Sequence, residues 1–311
     1  MRYLFDTNLF RSLPFPIKET DTAEQIKRSI LKNGDRLVAC VETVYELLSH
    51  VNESERGKYF IFHKAISGLL HYTDETITDH ADYAMQVSLL GRARHQSVTE
   101  GALELVRIIR DSRTFERLTI LPLETQTPGG LYLALLGHIQ SFTKLELDAW
   151  EDEWASMMTA GAAMTLECDY HESVRQGIVP KVSDEKRRKA LEALDSEQTQ
   201  RIVMRGMAIR AGVESPVPEE NVDRLMNDLS AFYCAYKGIW RKALTSGYNF
   251  FGRKNLGDFI DMQLLMHLIE SDILLITLDD RVCKLLPADC QQRDRVISYS
   301  QLAARFGLTY P

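Results

Sequence analysis

The residues of this sequence with the clearest chemical potential are carboxylates that stand at the ends of apolar runs. Asp6 directly follows Tyr3, Leu4 and Phe5. A carboxylate at the carboxyl end of a buried strand stands where open α/β sheets hold their ligands. Glu46 lies in VETVYELLSH, where Val41, Val44, Tyr45 and Leu48 recur at helical spacing. Asp258 and Asp261 open LGDFIDMQLLMHLI, and their i, i+3 spacing puts both on one helix face. Asp279 and Asp280 close DILLITLDD, the strongest strand pattern in the chain. Each acid taken singly has an ordinary explanation, as a turn former or as a charge favoured by a helix start. Brought together, such carboxylates repel one another and stay ionised only around a positive charge. Oxygen-only ligation selects a hard divalent ion, Mg²⁺ or Mn²⁺, over zinc or copper.

The elements that must position these acids alternate between strand and helix patterns. After Tyr3–Phe5, Thr7 and Asn8 read as a turn, and Pro14 and Pro16 break any helix beyond it. TDTAEQIKRSILKNG reads as a helix stopped by Asn33-Gly34, Arg36 to Val41 as a strand, and the Glu46 segment, GKYFIFHKAISGLLHY and ITDHADYAMQVSLLGR as helices. That alternation predicts an α/β domain with a central parallel sheet flanked by helices. From about residue 93 the pattern becomes almost wholly helical, with only ERLTILPLE reading as a strand, and the acidic helix arrives only after residue 250. Turn signals at Pro128-Gly129-Gly130, Gly177 to Pro180 and Ser215 to Pro218 divide the helices, which include LYLALLGHIQSF and the stretch from Trp150 to His171. The expected organisation is a core formed by 1–92 and 251–311, interrupted by a mostly helical insertion, 93–250.

Taken in order, the strand ending in Asp6-Thr7-Asn8, Glu46 in the helix after the second strand, the helix bearing Asp258 and Asp261, and the strand ending in Thr277-Leu278-Asp279 resemble the PIN-domain nucleases. RVISYSQLAARF is similar to that family's closing strand and helix. The resemblance covers roughly the first 90 and last 60 residues and leaves out the middle. It implies a three-layer PIN-like fold and a divalent-metal nuclease. Asp6, Glu46, Asp258 and Asp279 would be the metal-site acids, Asp261 would share or replace the role of Asp258, and Asn8, Thr277 and Asp280 would support them. The implied reaction is hydrolysis of phosphodiester bonds in single-stranded RNA with Mg²⁺ or Mn²⁺, in an enzyme of the toxin or defence-effector kind. An inhibitor or regulatory protein is the expected partner, and a homodimer is compatible with the family. The other functional class is a PIN-like binding module whose nuclease activity is absent or latent.

Composition bounds these readings. With 311 residues, 45% of them hydrophobic and 26% charged, the chain has the makeup of a soluble globular protein, and a net charge of -7 leaves nucleic acid to local basic patches. One such patch precedes the acidic helix. Lys237, Arg241, Lys242, Arg253 and Lys254 are interleaved with Trp240, Tyr248, Phe250 and Phe251, a mixture suited to holding a single strand by phosphate contacts and stacking. Aromatics at this spacing are more often core. A second row, Arg107, Arg110, Arg113 and Arg117, reads as a solvated helix face. Five scattered cysteines without a C-x-x-C pair fit a reducing cytosol and give no zinc knuckle. No secretion signal and no membrane-length apolar run is present, so a cytoplasmic location is expected. There is no phosphate-binding G-x-x-x-x-G-K loop, the histidines form no triad, and Asn8 stands where a haloacid-dehalogenase-type phosphatase needs a second Asp.

Overall fold

The computed structural model describes residues 1–14, 16–49, 51, 53–94, 97–117, 178, 183–249, 255–279, 282–283 and 286–309. Its strands are β1 (Arg2–Phe5), β2 (Arg36–Cys40), β3 (Ile77–Thr78), β4 (Ile273–Thr277) and β5 (Val296–Ser298). They form one five-stranded sheet in the order β3-β2-β1-β4-β5, and every pairing is parallel. The helices before β3 are α1 (Thr7–Ser12), α2 (Thr22–Lys32), α3 (Val41–Ser49) and α4 (Tyr59–Tyr72). Between β3 and β4 come α5 (Ala81–Leu90), α6 (Thr99–Ser112), α7 (Asp184–Leu194), α8 (Glu197–Arg210), α9 (Glu219–Asp228), α10 (Ser230–Ser246) and α11 (Leu256–Met266). The helix α12 (Tyr299–Arg305) comes after β5.

Side-chain alternation along the strands divides the interior into two cores, one on each face of the sheet. Leu4, Val38, Cys40, Ile273, Leu275 and Val296 point to one face, where they pack with α5 and α7 to α11. Tyr3, Phe5, Leu37, Ala39, Leu274, Ile276 and Ile297 point to the other, where α1 to α4, α6 and α12 cover them. The result is a three-layer α/β fold, and it explains why the strands read as continuous apolar runs. By number α6 falls in the 93–250 segment, yet its Ala102, Leu105, Val106 and Ile109 pack in the same core as α3 and α4. Helices α7 to α10 share their buried cluster with Leu4, Val38 and Leu275 of the sheet.

Thr7 and Asn8, expected in a turn, instead begin α1. Asp6 ends β1 and caps that helix by accepting the Leu9 N–H at 2.8 Å, so strand and helix meet without a connecting loop. Gly34, with φ of +77°, closes α2 as the Asn33-Gly34 signal implies. The two-residue β3 is too short to leave a period of its own in the sequence. The strand expected in ERLTILPLE and the helices expected in LYLALLGHIQSF and from Trp150 to His171 lie outside the described residues, apart from Glu116 and Arg117. No described helix is long and apolar enough to cross a membrane.

The strand order reverses direction between β1 and β4. From β1 the chain proceeds outward to β2 and β3, while β4 and β5 add on the other side. At such a switch point the helices that leave the two central strands diverge and open a crevice outside the strands' carboxyl ends. Phe5 pairs with Ile276, so Asp6 and Thr277 stand side by side at that crevice.

Candidate functional site

Asp6 is only 2% exposed and is held from three sides. Its backbone N–H donates to the Ile276 carbonyl at 3.1 Å, one carboxylate oxygen accepts from Leu9, and the other accepts the Thr277 hydroxyl. Thr277 in turn accepts the Asp279 N–H at 2.8 Å, so one buried hydroxyl orients the carboxyl ends of both central strands. Burial raises the Asp6 carboxyl to about 6 against the hydrogen bonds that favour its charged form, and the nearby Glu46 charge raises it further.

Asp261 stands where the acids converge. Its carboxyl is pushed up to about 8, first by desolvation and then by the charges of Asp6, Glu46, Asp258 and Asp279. All four acids expected at the site therefore face one further carboxylate. Of the i, i+3 pair on α11, Asp261 is the inner member; Asp258, in the first turn, accepts a hydrogen bond from the Tyr248 hydroxyl. Glu46 on α3 lies 3.5 Å from the Arg11 guanidinium of α1. Asn8 is half-buried in the first turn of α1, and Asp280 lies outside the described residues.

An open cavity of about 380 Å³ leads to the acids. It is lined by Asp258, Asp261 and Asp279 together with Lys242, Ile239, Met262 and Leu265. Among the described residues, Lys242 is thus the member of the expected basic patch that borders the site, with its ammonium 5.8 Å from the centre of the Tyr248 ring. Among the other described members, Trp240 needs correction. Trp240 is 2% exposed and packs into the core, so it offers no stacking surface. Lys237 and Arg241 both pair with Asp195 at the end of α7, at 3.0 and 2.7 Å. Arg253, Lys254, Phe250 and Phe251 lie outside the described residues. In the second row, Arg107 and Arg110 both pair with Glu75, as an exposed structural face does.

Three carboxylates lining the cavity, with Asp6 and Glu46 near enough for their charges to act on Asp261, make a site in which a cation is electrostatically favoured. That donor set, oxygen only, fits a hard divalent ion. The acids are loosely spaced. Among the described residues, three ligand atoms within 4.8 Å of one another occur instead at Cys40, Glu42 and His267. Sequence pattern does not single out that buried group. The available signal is Glu42 itself, a carboxylate inside the apolar run of β2 and α3. Comparison with family models, curated proteins and solved structures finds no match for this chain.

The bridging role of Thr277 is open to test. Thr277→Val removes the donor to Asp6 and the acceptor for Asp279 while keeping the shape. We expect a loss of about 1–3 kcal/mol in urea unfolding of chelator-treated protein, with Thr277→Ser close to wild type. Equal stability of Val and wild type would show that the hydroxyl orients nothing.

Proposed function

We propose that this protein is a divalent-metal-dependent endoribonuclease that hydrolyses phosphodiester bonds of single-stranded RNA. The observation that carries the reading is the convergence of Asp6, Glu46, Asp258 and Asp279 on Asp261, at the switch point between β1 and β4. Asp6, Asp261 and Asp279 would hold Mg²⁺ or Mn²⁺, with Glu46 and Asp258 completing the site. Such an ion supplies neutralisation of phosphate charge and activation of water.

The chain's own groups have separable tasks. Thr277 fixes the orientation of the Asp6 carboxylate. Arg11 pairs with Glu46 and directs it, and the Tyr248 hydroxyl directs Asp258 by donating a hydrogen bond. Either of these outer carboxylates would accept the proton of the attacking water. Lys242 on the cavity wall would meet a backbone phosphate. The preference for RNA, a cytoplasmic role as toxin or defence effector, and control by an inhibitor protein rest on the PIN-domain resemblance.

A second reading is a PIN-like binding module with latent activity, favoured by the loose spacing of the acids. One assay separates the two. Purified protein with labelled single-stranded RNA and Mn²⁺ is expected to give internal cuts that disappear with chelator and return with Mn²⁺ or Mg²⁺. Binding without metal-dependent cutting would support the module.

A further inference from the structure

On the α5 and α11 side of the sheet, a second polar group is sealed in the core. Cys40 ends β2, Glu42 lies in the first turn of α3, and His267 comes directly after the last turn of α11; they are 0%, 2% and 0% exposed. The Glu42 carboxylate faces His267 Nε2 at 3.0 Å with one oxygen, while the other accepts the Ala81 N–H at 2.7 Å and lies 3.5 Å from His80 Nε2. The Cys40 sulfur lies 3.4 Å from the Thr43 hydroxyl.

A buried carboxylate needs a partner, and one imidazole meets that need. Two features exceed it. A thiol completes the group, and His80 brings a second imidazole to the same carboxylate. Sulfur, nitrogen and oxygen donors from three separate elements, within 4.8 Å of one another, match the ligand chemistry of a borderline-soft ion.

We propose that Cys40, Glu42 and His267, with His80 as the neighbouring fourth donor, form a site for a zinc-class divalent ion, distinct from the acidic crevice. The ion replaces protons: the Cys40 thiol proton and the proton shared by His267 and Glu42 leave to solvent as it enters. Its place in the fold gives it a structural task. It ties the β2–α3 junction to the end of α11, the helix that carries Asp258 and Asp261. This proposal stands whether or not the acidic crevice cuts RNA.

Co²⁺ is the probe, because a thiolate ligand gives it an intense charge-transfer absorption that oxygen ligands do not. Chelator-treated full-length protein is expected to bind one equivalent with that band, to lose the band on adding Zn²⁺, and to gain thermal stability with Zn²⁺. Cys40→Ser, small enough to fold, is expected to abolish the band and weaken Co²⁺ binding by more than about tenfold. Asp261→Asn is expected to keep the band, which separates this site from the acids. Cys234→Ser is the control for the neighbouring thiols Cys234 and Cys290. Absence of the band in the wild type, its persistence in folded Cys40→Ser, or its loss in Cys234→Ser would each overturn the assignment.

Discussion

Asp261→Asn is expected to make the metal-free protein more stable at pH 8.5, by on the order of 2 kcal/mol after allowance for solvent in the cavity, and to remove its response to Mn²⁺. The folded chain holds the Asp261 proton up to about pH 8, because burial and four facing carboxylates oppose the charge. An unfolded chain releases the same proton near pH 4. Between those values the unfolded state binds fewer protons than the folded one, so stability falls as pH rises, and the loss is complete above about 8. Asp6, raised to about 6, adds a smaller loss over the lower part of the window. A divalent ion removes the repulsion and restores stability by binding the folded state alone. Asn has no charge to oppose, so its stability should fall only by the smaller Asp6 share where the wild type declines further, with or without Mn²⁺. Urea midpoints at pH 5 and pH 8.5, each with chelator and with Mn²⁺, make the comparison. Parallel behaviour of the two proteins under all four conditions would mean that Asp261 does not face the other acids.

How much of the fold and site is legible in the sequence depends on the range of the interactions involved. Tyr3–Phe5 and Ile273–Thr277 announce themselves because both faces of a central parallel strand are buried, and the acids at their ends inherit that clarity. The choice between Asp258 and Asp261 is not legible, since i, i+3 residues share a helix face and only the packing of α11 decides which carboxylate turns inward. Trp240 illustrates the opposite limit. Interleaved cations and aromatics look alike on a binding surface and on a core helix, and the partner that occupies Lys237 and Arg241 is Asp195, more than forty residues earlier. Glu42 interrupts an apolar run, yet its role is hidden for the same reason. In the first turn of a helix a glutamate reads as a dipole-favoured surface charge, while its partner His267 is 225 residues away.

The helices between β3 and β4 illustrate how packing supplies what pattern cannot. A helical run with no fixed repeat gives no sign of where it docks. Here α10 brings Lys242 to the wall of the cavity, and the same helix buries Trp240, Tyr236 and Phe232 against the core that covers the sheet. One face of α10 therefore helps hold the fold while a residue at its rim meets the acids. On the proposed nuclease reading, α10 as well as the strand ends would border the substrate's approach.

Asp6→Asn is expected to reduce RNA cutting by at least about a hundredfold while leaving the protein folded, a larger effect than the tenfold to hundredfold typical of groups that only support a metal ligand. The amide keeps the size of the carboxylate and can still accept the Leu9 N–H, so the cap of α1 survives. Its other end meets the Thr277 hydroxyl, which must reorient, a cost of about 1 kcal/mol offset by relief of a buried negative charge. Stability near pH 7 should thus change little. The loss is confined to the negative oxygen at the most rigid point of the crevice, fixed by β1, β4 and the start of α1 together. Cutting rates at saturating Mn²⁺, measured beside urea unfolding of the same preparation, separate lost chemistry from lost fold. Cutting at the wild-type rate by a folded Asp6→Asn protein would remove Asp6 from the site, and with it the argument that the switch point between β1 and β4 is where RNA is hydrolysed.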